Sequence, residues 1–345
     1  MVHFGRHVAQ SARRQHRHSW PDASFRKSVP DIRPTATKGA SDSSMLKTLS
    51  FVALALLILP TVSLPPARPM IITWGGNLPD WNQALRVSAI RMGCSDSPAS
   101  CAQSADKLAA SQGVSSILIS ILLNPGRLSS DAATYGALAH SHPVITEIGF
   151  DDFVTQARKT GLGGNELSAL LQDAAGRWKG GSLRFGITIY QDEFTNGALD
   201  RLQLSDSVRQ SVDFIHLFPH YRKESQSRAD TIAQAKKLFP NATVILGSYA
   251  YDRREYLPCQ ASSPSKHCSV DEELQLFQQS LQEDIGLIQS GAAAGIEFYP
   301  GSFGQEDSWK GWDNPRACKA GARAECVQTT RAMREKVREL VSSLR

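Results

Sequence analysis

The chain has 345 residues and a formal net charge of +5. Its first 44 residues carry eight Lys or Arg against three Asp, so everything from Met45 onward nets to zero. That balance removes the basic bias a nucleic-acid-binding domain normally carries, and no nucleic-acid partner is expected.

Residues 1–44, rich in Arg, His, Ser and Pro, read as a disordered basic leader or as an upstream misreading of the start. Met45 and Lys47 then precede the apolar run Leu49–Leu59, which closes on Pro60 and the small residues Thr61-Val62-Ser63. This is the order of a signal peptide over residues 45–63. The run of about 11 residues is too short for a bilayer, which takes about 20. An uncleaved N-terminal anchor is the other reading. Secretion or a periplasmic location is expected, with no stable membrane insertion after cleavage.

Six cysteines follow as three close pairs: Cys94 with Cys101, Cys259 with Cys268, and Cys318 with Cys326. Behind a signal sequence, an even count in local pairs reads as three disulfide clips, each closing a loop. Their spacings lack the C-x2-C form of a structural zinc site. No metal or cofactor is called for.

Residues 64–345 read as one domain in which short apolar runs alternate with helical stretches. The strands are Met70–Trp74, Val114–Leu123, Val144–Gly149, Leu183–Phe194, Val212–Pro219, Thr243–Tyr251 and Gly295–Tyr299. Between the first two lies a helical spacing at Trp81–Met92, then a helix near Ala102–Ser111. Further helices are expected at Ser130–His140, after Asn165 as a cap, at Glu224–Leu238, at Val270–Ser290 and at Val327–Leu344. Such alternation implies a parallel sheet wrapped by helices. No G-x-G-x-x-G follows the first strand and no P-loop occurs, so the usual nucleotide-binding reason for an open sheet is missing. A (β/α)8 barrel of the TIM type is expected, with an eighth strand that is irregular, lies in the weak region Trp309–Thr330, or is missing.

In such a barrel, chemistry gathers at the C-terminal ends of the strands. What arrives there is rich in carboxylates and aromatics: Trp74, Glu147, Asp151, Asp152, Tyr190, Asp192, Glu193, His216, His220, Tyr251, Asp252, Glu297 and Tyr299. Cleaving a glycosidic bond needs one carboxylic acid to protonate the leaving oxygen and a second carboxylate to attack or to activate water. The catalytic candidates are Asp192, Glu193, Glu297 and Glu147; the others are candidates for holding sugar.

Each has a plainer reading. Glu297, between Ile296 and Phe298, can be a buried acid bonded to His216 or to a Tyr. One of Asp192 and Glu193 can cap the next turn, and period-two alternation turns Asp192 inward and Glu193 outward. Asp151 or Asp152 can cap a helix. Asp252 can pair with Arg253 or Arg254. His216 and His220 share strand parity, but without H-x-H or H-E-x-x-H they suit hydrogen bonding or packing better than metal. Trp309, Trp312, Asp307 and Asp313 form a sugar platform or merely cover the barrel top.

The stretch Met70–Tyr299 resembles the broad superfamily of (β/α)8 glycoside hydrolases in layout. That resemblance implies one catalytic carboxylate after the fourth strand, where Asp192 or Glu193 falls, and another on the seventh, where Glu297 falls. The Asn-Glu pair found after the fourth strand in the largest clan is replaced by Gln191-Asp192-Glu193. The expected function is a secreted glycosidase acting on a poly- or oligosaccharide. A non-catalytic carbohydrate-binding barrel of the cell envelope is the alternative, and a metal-dependent hydrolase using His216 and His220 is the weaker one.

Overall fold

A computed structural model describes residues 68–254, 257–304 and 324–344. The leader, the signal-peptide stretch, Cys318, and the Trp309 and Trp312 platform lie outside them.

The strands are β1 (Met70–Trp74), β2 (Ala89–Gly93), β3 (Ile117–Ile121), β4 (Ile145–Phe150), β5 (Arg184–Tyr190), β6 (Phe214–Phe218), β7 (Thr243–Tyr249) and β8 (Gly295–Tyr299). All neighbours pair in parallel, and β8 closes back on β1. This is the (β/α)8 barrel, with its eight strands complete among the described residues. Around it run α1 (Pro79–Leu85), α2 (Pro98–Gln112), α3 (Leu128–Leu138), α4 (Phe153–Lys159), α5 (Gly164–Gly180), α6 (Gln191–Thr195), α7 (Asp206–Ser211), α8 (Arg228–Leu238), α9 (Val270–Gln289) and α10 (Ala324–Val341).

The eighth strand is the one that sequence spacing reads as helix. The helical pattern of Trp81–Met92 breaks at Arg86, which takes a left-handed φ of 52° as the C-cap of α1. The chain then enters β2. Consequently Leu183–Phe194 supplies the fifth strand, not the fourth, and Glu297 stands on the eighth, not the seventh. The acids that directly follow the fourth strand are Asp151 and Asp152. Two smaller corrections concern caps. Gly163, not Asn165, is the N-cap of α5, with Glu166 accepting its N–H. Ser227 caps α8, which begins at Arg228 rather than Glu224.

Alternation sorts each strand into two layers. Outward residues such as Phe185, Ile187 and Ile189 pack with Phe150, Leu171 and Trp178 in one continuous apolar cluster beneath the helices. Inward residues fill the barrel. At its base Ile72, Ala89, Leu118, Phe214 and Ile245 form a separate apolar plug. Above that plug the inward positions turn polar, and glycines make room for them. A side chain at Gly186 would overlap the Glu147 carboxylate, and one at Gly247 would overlap the Phe218 ring.

Two predicted clips are formed: Cys94 bonds to Cys101, with Cα atoms 6.0 Å apart, and Cys259 to Cys268, 4.9 Å apart. The first ties the residue after β2 to the first turns of α2, and the second lies in the connection between β7 and α9. No helix of the described residues is long and apolar enough to cross a membrane.

Candidate active site at the C-terminal mouth

Two tiers of polar side chains occupy the upper barrel. The lower tier is wholly inside. Arg91 on β2, Glu147 on β4, His216 on β6 and Glu297 on β8 are each no more than 2% exposed. Glu297 faces His216 Nδ1 through Oε2, and Arg91 Nε lies 2.9 Å from its Oε1. Glu147 Oε1 lies 2.9 Å from His216 Nε2 and 3.6 Å from Arg91. Arg91 also donates to Thr188 Oγ1 at 2.8 Å. Burial pushes the Glu297 pKa up, but Arg91 and His216 outweigh it and hold the carboxyl below its ordinary range. For His216, burial and Arg91 push the pKa down, while Glu147 and Glu297 prevail and raise it.

The upper tier opens on the mouth. Asp151 and Asp152 directly follow β4 and are half-buried. Asp152 stands at the N-cap of α4, yet its carboxylate caps nothing. It takes a left-handed φ of 46° and accepts a hydrogen bond from the Tyr190 hydroxyl at the end of β5. Non-glycine residues rarely hold that backbone region unless the surroundings impose it, and it recurs at functional sites. Burial, then the neighbouring Asp152 charge, lift the Asp151 pKa to about 7; Arg91 opposes this and Glu297 adds to it.

Tyr190 ties this pair to the next loop. Its ring stacks on His220, with centroids 4.8 Å apart, and His220 Nδ1 lies 3.3 Å from Asp192 Oδ2. The other Asp192 oxygen has no hydrogen-bond partner among the described residues. Glu193 performs the capping role: β5 ends at Tyr190, and Glu193 accepts the Tyr190 N–H at 2.9 Å. Because the chain turns into α6 there, strand alternation no longer sorts the two acids. Burial raises the Glu193 pKa to about 7 against that backbone bond, with Asp192 and Asp152 adding to the rise.

Aromatic rings wall the other side. Trp74 meets Tyr299 edge-on at 5.5 Å, and Tyr299 meets Tyr249 at 5.8 Å. Tyr249 donates to the Tyr190 hydroxyl at 3.3 Å. Arg253 lies 4.0 Å over the Tyr249 ring and holds the His220 carbonyl at 2.6 Å. The result is a half-buried acidic patch beside a curved aromatic wall.

The sequence candidates therefore separate. Trp74, Asp151, Tyr190, Asp192, His220 and Tyr299 sit at the mouth and retain some exposure. Glu147, His216 and Glu297 lie in the closed tier below. Their arrangement is the plainer reading of Glu297, an acid bonded to His216. Both ring nitrogens of His216 face carboxylates, so it cannot join His220 on a metal. Asp252 is 2% exposed and paired with Arg254 at 2.7 Å. Tyr251 is also buried, packed near Tyr249 and Tyr299. Sequence reasoning missed Arg91 and Tyr249 as parts of the site. Arg91 was hidden in an apparent helix, whereas Tyr249 shares strand parity with Tyr251 and was available from that signal.

No protein-family model and no curated protein matches the chain. Among solved structures it is similar to the spore cortex-lytic enzyme SleL of Bacillus megaterium, at 13% identity and a TM-score of 0.46, over 69% of this chain and 73% of that one. A chitinase from Chromobacterium violaceum scores 0.43 at 11% identity, over 78% of this chain and 98% of that one. A fructose-1,6-bisphosphate aldolase from Coccidioides immitis scores 0.38 at 11% identity, over 80% and 89%. Likeness at this level carries no argument about activity.

Proposed function

We propose that the chain is a secreted glycosidase that cleaves a poly- or oligosaccharide at the barrel mouth. Asp151 is the general acid and Asp192 the second carboxylate. The observation that carries this reading is the convergence through Tyr190: its hydroxyl holds Asp152 beside Asp151, and its ring supports the His220 that holds Asp192. An acid with a pKa of about 7 keeps its proton near neutrality and can deliver it to a departing sugar oxygen. Asp192, whose side chain keeps 22% exposure beside His220, suits attack at the anomeric carbon or activation of water. Trp74 and Tyr299, half-buried at the mouth, offer aromatic surface of the kind that holds sugars.

Glu297 and Glu147, sealed and paired, are assigned here to support rather than to chemistry. Secretion is supported by the Met45–Ser63 leader pattern and by the two formed disulfides. The test is hydrolysis of a polysaccharide panel by wild type, Asp151→Asn and Asp192→Asn. Both substitutions should cut product release about a hundredfold or more while leaving glycan binding in place. A wild type that binds glycans and releases nothing supports the carbohydrate-binding alternative, for which the same aromatic wall suffices.

A further inference from the structure

Below the mouth, His216 sits wholly buried on β6 with a carboxylate at each ring nitrogen: Nε2 lies 2.9 Å from Glu147 Oε1, and Nδ1 contacts Glu297 Oε2. An ionised carboxylate can only accept, and a neutral imidazole carries a single N–H. A neutral His216 would therefore turn one bare lone pair against a carboxylate oxygen. Two placements of a proton remove that repulsion, one on the ring and one on a glutamate.

Arg91 decides between them. Its guanidinium reaches Glu297 at 2.9 Å and Glu147 at 3.6 Å, and a guanidinium does not give up its proton in a protein. Protonating either glutamate would strip this buried cation of half its counter-charge. Either placement leaves the four groups with no net charge, so the discriminating term is the guanidinium: protonating the ring keeps both glutamates ionised against Arg91. Among the described residues, the charged groups that reach the ring are these three, from β2, β4 and β8.

We propose that His216 is a buried imidazolium at neutral pH, a positioning cation that with Arg91 locks Glu147 and Glu297 beneath the mouth and leaves acid–base work to the carboxylates above. The protonation state does not rest on the proposed glycosidase activity. A barrel that binds sugar without cleaving it would hold the same four groups.

The test is a long-range proton–nitrogen correlation spectrum of the histidine rings in the 15N-labelled full chain, followed from pH 6 to 9.5, with His216 assigned by its loss in His216→Gln. The expected spectrum has both His216 nitrogens at protonated shifts at pH 7.5, about one unit above an ordinary histidine pKa of ~6.5. In Glu147→Gln the ring should lose its second proton near neutral pH. A single-tautomer pattern for wild type at pH 7.5 overturns the proposal, and so does an unshifted titration in Glu147→Gln. Should these variants fail to fold, an atomic-resolution crystal structure of the wild type gives the answer. Equal C–O bond lengths in Glu147 and Glu297 are expected, and one long and one short bond in either glutamate would overturn it. None of these readouts uses activity, so a failed hydrolysis assay and a failed protonation assay are separate results.

Discussion

Gly186→Ala probes how firmly the inner tier is held. A methyl group at this position on β5 would stand 2.7 Å from Glu147 Cδ and 3.2 Å from its Cγ, and closer still to Oε1. At a surface site the carboxylate would swing aside at little cost. Here its side chain is 3% exposed and faces His216 at 2.9 Å and Arg91 at 3.6 Å. If the barrel strains to accept the methyl, overpacking costs about 1–3 kcal/mol. If Glu147 is driven out of its contacts, a broken buried ion pair costs about 3–5 kcal/mol. A loss of about 3 kcal/mol is therefore expected, against a typical total of ~5–15 kcal/mol. At roughly 2–4 °C per kcal/mol for a domain of this size, the melting temperature falls by about 6–12 °C. Guanidinium unfolding followed by far-UV circular dichroism measures it. Gly176→Ala serves as control, because that α5 glycine is exposed, has nothing within 4 Å of an added Cβ, and should gain stability from helix propensity. A Gly186→Ala variant within about 0.5 kcal/mol of wild type would show that the tier yields freely, and would refute the rigidity assigned to it.

The remaining predictions concern pH and covalent structure. Loss of the Asp151 acid in Asp151→Asn should lower kcat by about 10²–10⁴-fold. Since the working form is protonated and its pKa is lifted to about 7, wild-type kcat/KM should fall as pH rises above neutrality; a rate that climbs through pH 7 contradicts the assignment. His216 has its folded pKa raised, so its stabilising contribution is full below the unfolded value of about 6.5 and is lost as pH rises through the folded value. Denaturant midpoints at pH 6.5 and 9.5 should accordingly differ more in wild type than in His216→Gln. Replacing Cys94 and Cys101 together by Ser should cost about 2–3 kcal/mol of unfolding free energy, as expected for a short closed loop, and an unchanged denaturation midpoint would disprove that.

The barrel was legible because most strands carry an apolar outward face, as with Phe185, Ile187 and Ile189. Only β2 was lost. Its five residues include inward Arg91, a charge that strand patterning does not anticipate, and they follow a short helix whose spacing runs on into them. Missing one strand displaced every later one in the count, which moved the acid position from β4 to β5. Glu297 was correctly marked as a buried acid, since its neighbours Ile296 and Phe298 fix its parity. Its partner Arg91 was invisible because only the closure of β8 on β1 beside β2 brings the two together. Local chemistry failed at Asp152, where composition favours a cap and the observed partner, Tyr190, lies 38 positions away. Alternation failed at Asp192 and Glu193 because the strand had already ended.

The most direct measurement of the central claim is the release of new reducing ends from a panel of neutral, N-acetylated and acidic polysaccharides by the purified protein, with binding measured on the same panel. Wild type should cleave at least one polysaccharide, with Asp151→Asn and Asp192→Asn binding it but releasing about a hundredfold less product or lower. Binding without release by wild type, or undiminished release by Asp151→Asn, would contradict the account.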